Sequence, residues 1–216
     1  MTVKIISYTQ SNVNVMFTLE DIIAYCCRVS NPGNQMTNMN NTRLMKYLYD
    51  NNHWSPFEMV NICLEITTTR DISRQILRHR SFTFQEFSQR YAKVDDSFIV
   101  RDTRLQDDKN RQNSIETDNI NLITEWNERQ KQTIEIIKEN YEWALNNGIA
   151  KEQARVILPE GNTSTKLYMN GSLRSWIHYL ELRLGNGTQK EHREVAYACY
   201  REIKTIFPLI EIFINA

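Results

Sequence analysis

The sequence predicts an α+β fold: a few strands, one of them long and central, within a helical majority. Three observations carry the prediction. Phe57–Thr68 is rich in β-branched residues (Val60, Ile62, Ile66, Thr67, Thr68) and apolar on both faces, as a strand inside a sheet requires. Ile115–Asn147 repeats large apolar residues near the helical period, at Ile120, Ile123, Trp126, Ile134, Ile137, Tyr141 and Leu145. Helix starts and stops punctuate the rest of the chain.

In order, Val3–Tyr8 reads as a short strand. Thr18 with Asp21 three residues on forms a capping box before the stripe Leu19, Ile22, Ile23, Cys26, Cys27. Asn31-Pro32-Gly33 breaks that helix, and Asn34–Asn41 is a polar loop. Thr42 is expected to cap a second helix with Leu44, Met45, Leu48 and Tyr49 inward, ending at Asp50-Asn51-Asn52. Pro56 is expected to hold Ser55 extended, so that His53 and Ser55 flank the mouth of the central strand. Thr69–Arg80 reads as a helix, and Ser81–Tyr91 as a polar-aromatic loop. Asp95–Asn113 is charged and irregular, with Phe98–Val100 a candidate edge strand.

The long helix stops at Asn146-Asn147-Gly148. Lys151–Leu158 is a shorter helix stopped by Pro159, Glu160-Gly161-Asn162 a turn, and Thr163–Met169 a strand. Ser172 caps a helix reaching Arg183 with the stripe Leu173, Trp176, Ile177, Leu180. Gly185-Asn186-Gly187 breaks it, and Gln189–Phe207 is the last helix, ending before Pro208.

At 216 residues the chain suits one domain, residues 1–216, with a full core. Its 26 basic and 26 acidic residues cancel, which gives no global pull toward nucleic acid or a membrane surface. No apolar run approaches a bilayer span and no signal peptide precedes the first strand, so a cytoplasmic setting, including that of a host cell, is expected. Cys26, Cys27, Cys63 and Cys199 lack zinc spacing and lie in apolar surroundings, which suits buried reduced thiols. No metal site, Rossmann glycine fingerprint or P-loop is legible.

Against this neutral background one stretch is locally basic. Arg70, Arg74 and Arg78 recur every four residues and would share one helix face, with Gln75 and His79 on the next ridge. Arg80 and Arg90 follow, and Glu86 is the one acid between Asp71 and Asp95. Like charges so spaced repel, so the cluster is expected to need an anionic ligand, held by the paired donors of guanidinium groups.

Arg78-His79-Arg80 followed by Ser88 resembles the signature of the flavin-dependent thymidylate synthases. His53-Trp54-Ser55-Pro56-Phe57-Glu58, Glu152–Pro159 and Leu173–Arg183 are similar to three further segments of that family, in the family's order. Thr83 and Gln85 depart from its more common serine and asparagine, and the match is weakest over Asp95–Asn119. The resemblance implies a central, mainly antiparallel sheet with surrounding helices in the thymidylate synthase-complementing-protein-like fold, assembled as a homotetramer with sites at subunit junctions. It implies reductive methylation of dUMP to dTMP, with carbon from methylenetetrahydrofolate, hydride from FAD reduced by NADPH, and no cysteine nucleophile.

By family position, Arg183 polarises the uracil, the logic of an oxyanion hole. Gln75, Arg78, Glu86, Ser88, Gln89, Arg90, Arg155 and Arg183 match dUMP-binding places. Ser55, Arg78, His79, Arg80, Glu86, Ser172, Leu173, Arg174 and His178 match FAD-binding places, and His53 and Ser88 stand where folate and nicotinamide approach. Each has a plainer reading. Arg155 suits a helix end, Arg174 and Arg183 an amphipathic surface, and His178 a satisfied core, while His192 matches no functional place and reads as structural. Two rival functions stay open at this level: a nucleic-acid binder, whose arginines alternate with Phe82, Phe84, Phe87 and Tyr91, and a flavin oxidoreductase with another acceptor.

Overall fold

The central strand forms where β-branched residues allow burial on both faces. β2 (Asn61–Thr69) keeps Ile62, Leu64, Glu65, Ile66, Thr68 and Thr69 below a tenth exposed. The computed structural model describes residues 1–13, 16, 18–36, 41–95 and 97–214. Around β2 the chain forms β1 (Thr2–Tyr8), α1 (Leu19–Cys27), α2 (Asn41–Asp50), α3 (Arg70–Ile76), β3 (Thr83–Glu86), β4 (Arg104–Gln106) and β5 (Ser114–Glu116). It continues with α4 (Ile120–Asn146), α5 (Lys151–Ala154), β6 (Ser164–Ser172), α6 (Leu173–Arg183) and α7 (Lys190–Ile206).

One sheet has the order β1-β2-β6-β3, and β4 and β5 make a second. The first is antiparallel as expected: the Leu173 amide donates to Val60 and the Arg70 amide to Thr163, at opposite ends of β2 and β6. No helix among the described residues is long and apolar enough to cross a membrane.

The chain divides into two compact units. The first comprises Met1–Ile66, Arg78–Gln85 and Tyr168–Ala216. Its core gathers Ile23, Met45, Phe57, Ile62, Trp176, Leu180, Val195, Ile203 and Phe207, all fully buried. α7 packs on β1 and on α6. The indole of Trp176 donates to the Ile62 carbonyl at 3.0 Å, which satisfies the one polar atom of a buried ring. The second unit comprises Thr67–Leu77 and Glu86–Leu167. There α4 closes over Val94, Ala154 and Leu158 through Tyr141 and Ala144.

The caps at Thr18 and Ser172 form as expected, the first a complete capping box with Asp21. α4 ends at Asn146 with Asn147 as its cap, and the chain then turns at Gly148, whose φ of +77° suits a residue without Cβ. The amides of Gly148 and Ile149 return to the Leu145 and Ala144 carbonyls.

Several expectations are corrected. Ser55 is not extended: Ser55–Met59 is a 3-10 turn with Pro56 near its start, where a missing N–H costs nothing, so β2 begins only at Asn61. Thr42 lies inside α2, whose first residue is Asn41. The polar loop expected over Asn34–Asn41 falls partly outside the described residues, at 37–40.

α3 stops at Ile76, with Leu77 as its C-cap, so Arg78, His79 and Arg80 do not continue the ridge of Arg70 and Arg74. Thr83–Glu86 is a strand rather than loop. Ile115 pairs with Leu105 in the small hairpin, and the long helix begins at Ile120 after an Asn119 cap. The edge strand expected at Phe98–Val100 reduces to one bridge, Phe98 to Thr163. Lys151–Leu158 divides into α5 and a 3-10 turn, Arg155–Ile157.

Candidate functional site

In the second unit a polar network centres on Glu86. β3 ends on it, and its Oε1 accepts from Ser73 Oγ at 2.8 Å, Thr165 Oγ1 at 3.0 Å and Arg70 Nη1 at 3.3 Å. Arg70 is 6 % exposed. Its burial pulls the guanidinium below its ordinary pKa, opposed by the charge of Glu86. The expectation of an uncompensated arginine ridge is therefore wrong for two members. Arg70 is neutralised by Glu86, and Arg74 meets Glu160 at 3.4 Å. Arg101 adds a clamp, donating to Asp71 and to the Gly161 carbonyl.

What remains is sharper than a ridge. Glu86 presents Oε2, which has no partner among the described residues. Gln89 is 6 % exposed with its side-chain amide nitrogen unsatisfied. A buried donor without a partner costs free energy unless something else binds it. Ser88 lends its carbonyl to the turn amides of Tyr91 and Ala92. Arg90 lies 3.7 Å from Glu152 with both side chains half exposed, a weak anchor. Arg155 follows α5 and has no acidic partner among the described residues. Gln75 sits on α3, half-buried.

In the first unit, Arg78 and Arg80 are exposed on the segment after α3, with no acidic partner among the described residues. His79 turns inward. Its Nε2 accepts from Arg183 Nε at 2.9 Å, and its ring lies edge-on to Tyr179 at 5.0 Å. Arg183 occupies the last turn of α6, where the helix dipole favours a cation.

The start of α6 is fixed by three bonds: Ser172 Oγ accepts the Ser175 amide, Ser175 Oγ donates to the Ser81 carbonyl, and the Leu173 amide donates to Val60. Leu173 is fully buried, so packing occupies its side chain. Arg174 donates to Glu58 at 2.6 Å, joining two of the resembling segments. His178 lies against Trp54 with ring centroids 4.4 Å apart, and its Nδ1 is 3.3 Å from Glu181, which also accepts from Tyr49 at 2.6 Å. Burial first, then that bond, pushes the Tyr49 hydroxyl up to about 12. His53 is exposed with its ring edge-on to Tyr47, and Ser55 is exposed nearby in sequence.

The structure thus brings Arg183 to His79, and Glu86 to Arg70, Ser73 and Thr165. Ser73 and Thr165 carry no sequence signal that separates them from surface hydroxyls. His192, read as structural, is fully buried, and its Nε2 lies 3.2 Å from the Tyr179 hydroxyl.

Burial first, then the Arg183 charge, pushes His79 down to about 4 and His192 down to about 3. In the unfolded chain both take up a proton near pH 6.5. Between those values the unfolded state binds more protons, so stability is complete above about pH 6.5 and is lost as pH falls toward 4 and then 3. The urea midpoint is expected to fall across that window. His192→Gln is expected to flatten the slope by most of one proton, and an unchanged slope would refute the assignment.

Cys199 is fully buried, and Cys26, Cys27 and Cys63 are half-buried, all four free; full burial was expected for all. Burial raises the Cys27, Cys63 and Cys199 thiols above their ordinary range, which disfavours the thiolate.

Comparison with known proteins gives these residues a context. A family model described as thymidylate synthase complementing protein matches residues 13–209. A probable flavin-dependent thymidylate synthase of Paramecium bursaria Chlorella virus 1 is 48 % identical over 97 % of both chains. A flavin-dependent thymidylate synthase of Synechocystis sp. is 47 % identical, again over 97 % of both. Among solved structures, a UMP/dUMP methylase, PolB, from Streptomyces cacaoi bound with 5-Br dUMP superposes with a TM-score of 0.82 at 25 % identity, covering 98 % of this chain and 93 % of that one.

Proposed function

This chain belongs to the flavin-dependent thymidylate synthase family, and from that premise we propose that it converts dUMP to dTMP by reductive methylation, with methylenetetrahydrofolate as carbon donor and NADPH as reductant. The observation that carries the reading is the cationic remainder. Once Arg70 and Arg74 are matched with Glu86 and Glu160, the arginines Arg78, Arg80 and Arg155 are left without acidic partners among the described residues. Guanidinium forks in that state suit the phosphates of a nucleotide and a dinucleotide.

Arg78 and Arg80, exposed and without acidic partners among the described residues, would hold the pyrophosphate of FAD, and the other family places are Ser55, His79, Glu86, Ser172, Leu173, Arg174 and His178. When bound, FAD supplies the hydride that reduces the transferred one-carbon unit to a methyl group. For dUMP the family places are Gln75, Arg78, Glu86, Ser88, Gln89, Arg90, Arg155 and Arg183. Arg183 donates to the uracil carbonyl and stabilises negative charge that develops on the ring. Arg90 and Arg155 take the 5′-phosphate. By family position, His53 and Ser88 are the places for folate and nicotinamide.

The active assembly is a homotetramer in which one chain, residues 1–216, forms one catalytic domain, in a cytoplasmic setting. Support for assembly comes from α4, where Trp126, Ile136 and Trp143 are 45 %, 59 % and 62 % exposed. No membrane or nucleic-acid polymer enters the reading.

The raised thiols argue against a cysteine nucleophile. Replacing all four cysteines by alanine is expected to leave dTMP formation within about tenfold of the parent; total loss in a chain that still folds would restore a thiol mechanism. The function itself is tested on the purified protein. A yellow solution with flavin bands, whose spectrum responds to dUMP and which forms dTMP from dUMP, methylenetetrahydrofolate and NADPH, is expected. A colourless protein whose affinity for single-stranded nucleic acid falls steeply with salt would overturn it. A flavin spectrum indifferent to dUMP would point instead to another acceptor.

A further inference from the structure

We propose that His79 is a positioning residue for Arg183: its imidazole takes the Arg183 Nε–H and aims the guanidinium while leaving the positive charge uncancelled. The inference rests on the assignment of Arg183 to the uracil and goes beyond it. Arg70, Arg74, Arg101, Arg129 and Arg174 are each anchored by a carboxylate, from Glu86, Glu160, Asp71, Glu125 and Glu58 in turn. Arg183 has no carboxylate partner among the described residues, and its Nε donates at 2.9 Å to a ring nitrogen.

That bond fixes the tautomer. An N–H that donates to Nε2 requires a lone pair there, so the proton of neutral His79 sits on Nδ1. The ring itself is walled in. Tyr179, 1 % exposed, stands edge-on at 5.0 Å, Phe82 at 6.5 Å and His192 at 6.4 Å. The Tyr179 hydroxyl is within 3.2 Å of His192 Nε2, which holds the wall in register. Burial and the neighbouring cation both oppose protonation of His79, so the acceptor stays neutral at physiological pH.

The consequence is chemical. A carboxylate in the place of His79 would hold Arg183 as firmly but would place a full negative charge beside the group meant to stabilise developing negative charge. A neutral acceptor gives the preorganisation without that cancellation. One guanidinium nitrogen is spent on the hold, and the two terminal nitrogens are left for the substrate.

Three substitutions separate this role from a cofactor contact and from simple packing. His79→Gln keeps a neutral acceptor, His79→Leu removes the acceptor, and His79→Glu supplies a charged one. Flavin absorbance per chain, melting temperature, the dissociation constant for dUMP, and kcat and KM are measured for each. Per bound flavin, Gln is expected to hold kcat within about tenfold, and Leu and Glu to lower it by about a hundredfold or more, beyond any change in flavin content. The order Gln above Leu and Glu, independent of melting temperature, is a pattern that packing alone does not produce.

Equal kcat for Gln, Leu and Glu would overturn the proposal, as would parallel loss of flavin in all three, which would make His79 a cofactor ligand only. Failure of the parent protein to form dTMP would instead sink the functional reading on which the inference stands.

Discussion

Arg183→Lys is expected to lose dTMP formation by two to three orders of magnitude while flavin content and melting temperature stay near the parent's. The reason is the geometry of the guanidinium rather than its charge. In the parent, Arg183 Nε is committed to His79 at 2.9 Å, and a planar fork remains on the other side. An ammonium is a point charge with three donors on one atom. Should it reach His79, it is drawn away from the substrate; should it reach the substrate, His79 loses its partner. No single position serves both, so charge is retained and aim is lost. The position is half-buried in the last turn of α6, where lysine suits the helix dipole as well as arginine, so folding is not expected to suffer. Single-turnover methylation and the flavin spectrum check the prediction together. Normal turnover would remove Arg183 from the chemistry.

How much of this was legible in the sequence depends on whether the deciding interaction is local. α6 was readable because its signals lie within its own residues: the Ser172 cap, the stripe Leu173, Trp176, Ile177, Leu180, and the glycines that follow. α1 was readable from its capping box for the same reason. α3 was not, because nothing in Leu77-Arg78-His79-Arg80 forbids a helix. The turn there coincides with Phe82, 7 % exposed, packing edge-on to Trp176 at 4.8 Å, a contact the chain makes only after folding. Residues 83–86 read as loop in the sequence because their partner strand comes some eighty residues later, in β6. Residues 114–116 continued the apolar pattern of α4, and only the hairpin pairing of Ile115 with Leu105 separates them from it.

The same division runs through the candidate site. Motif spacing singles out Arg78, His79, Arg80, Ser88 and Arg183 as candidates, because residue identity is a property of sequence. It gave no means of seeing that His79 and Arg183, 104 positions apart, share a hydrogen bond. Nor could it show that Arg70 is buried, since charged residues are almost never buried without a partner and the partner lies outside the helix that carries it.

That buried pair gives the second large effect. Glu86→Ala is expected to destabilise the protein by about 3–5 kcal/mol, since it leaves the Arg70 charge buried without compensation. The Ser73 and Thr165 hydroxyls lose their acceptor in the same step. The double substitution Arg70→Met, Glu86→Leu is expected to recover most of that loss, because well-packed apolar residues replace a buried ion pair at little net cost. Stability and binding should then part company. If Glu86 Oε2, which no protein group satisfies among the described residues, serves a ligand, the double variant folds yet binds dUMP and flavin poorly. Urea midpoints read the first effect, and dUMP titration followed by flavin absorbance reads the second. Recovery of both together would confine Glu86 to the architecture and take it out of the site.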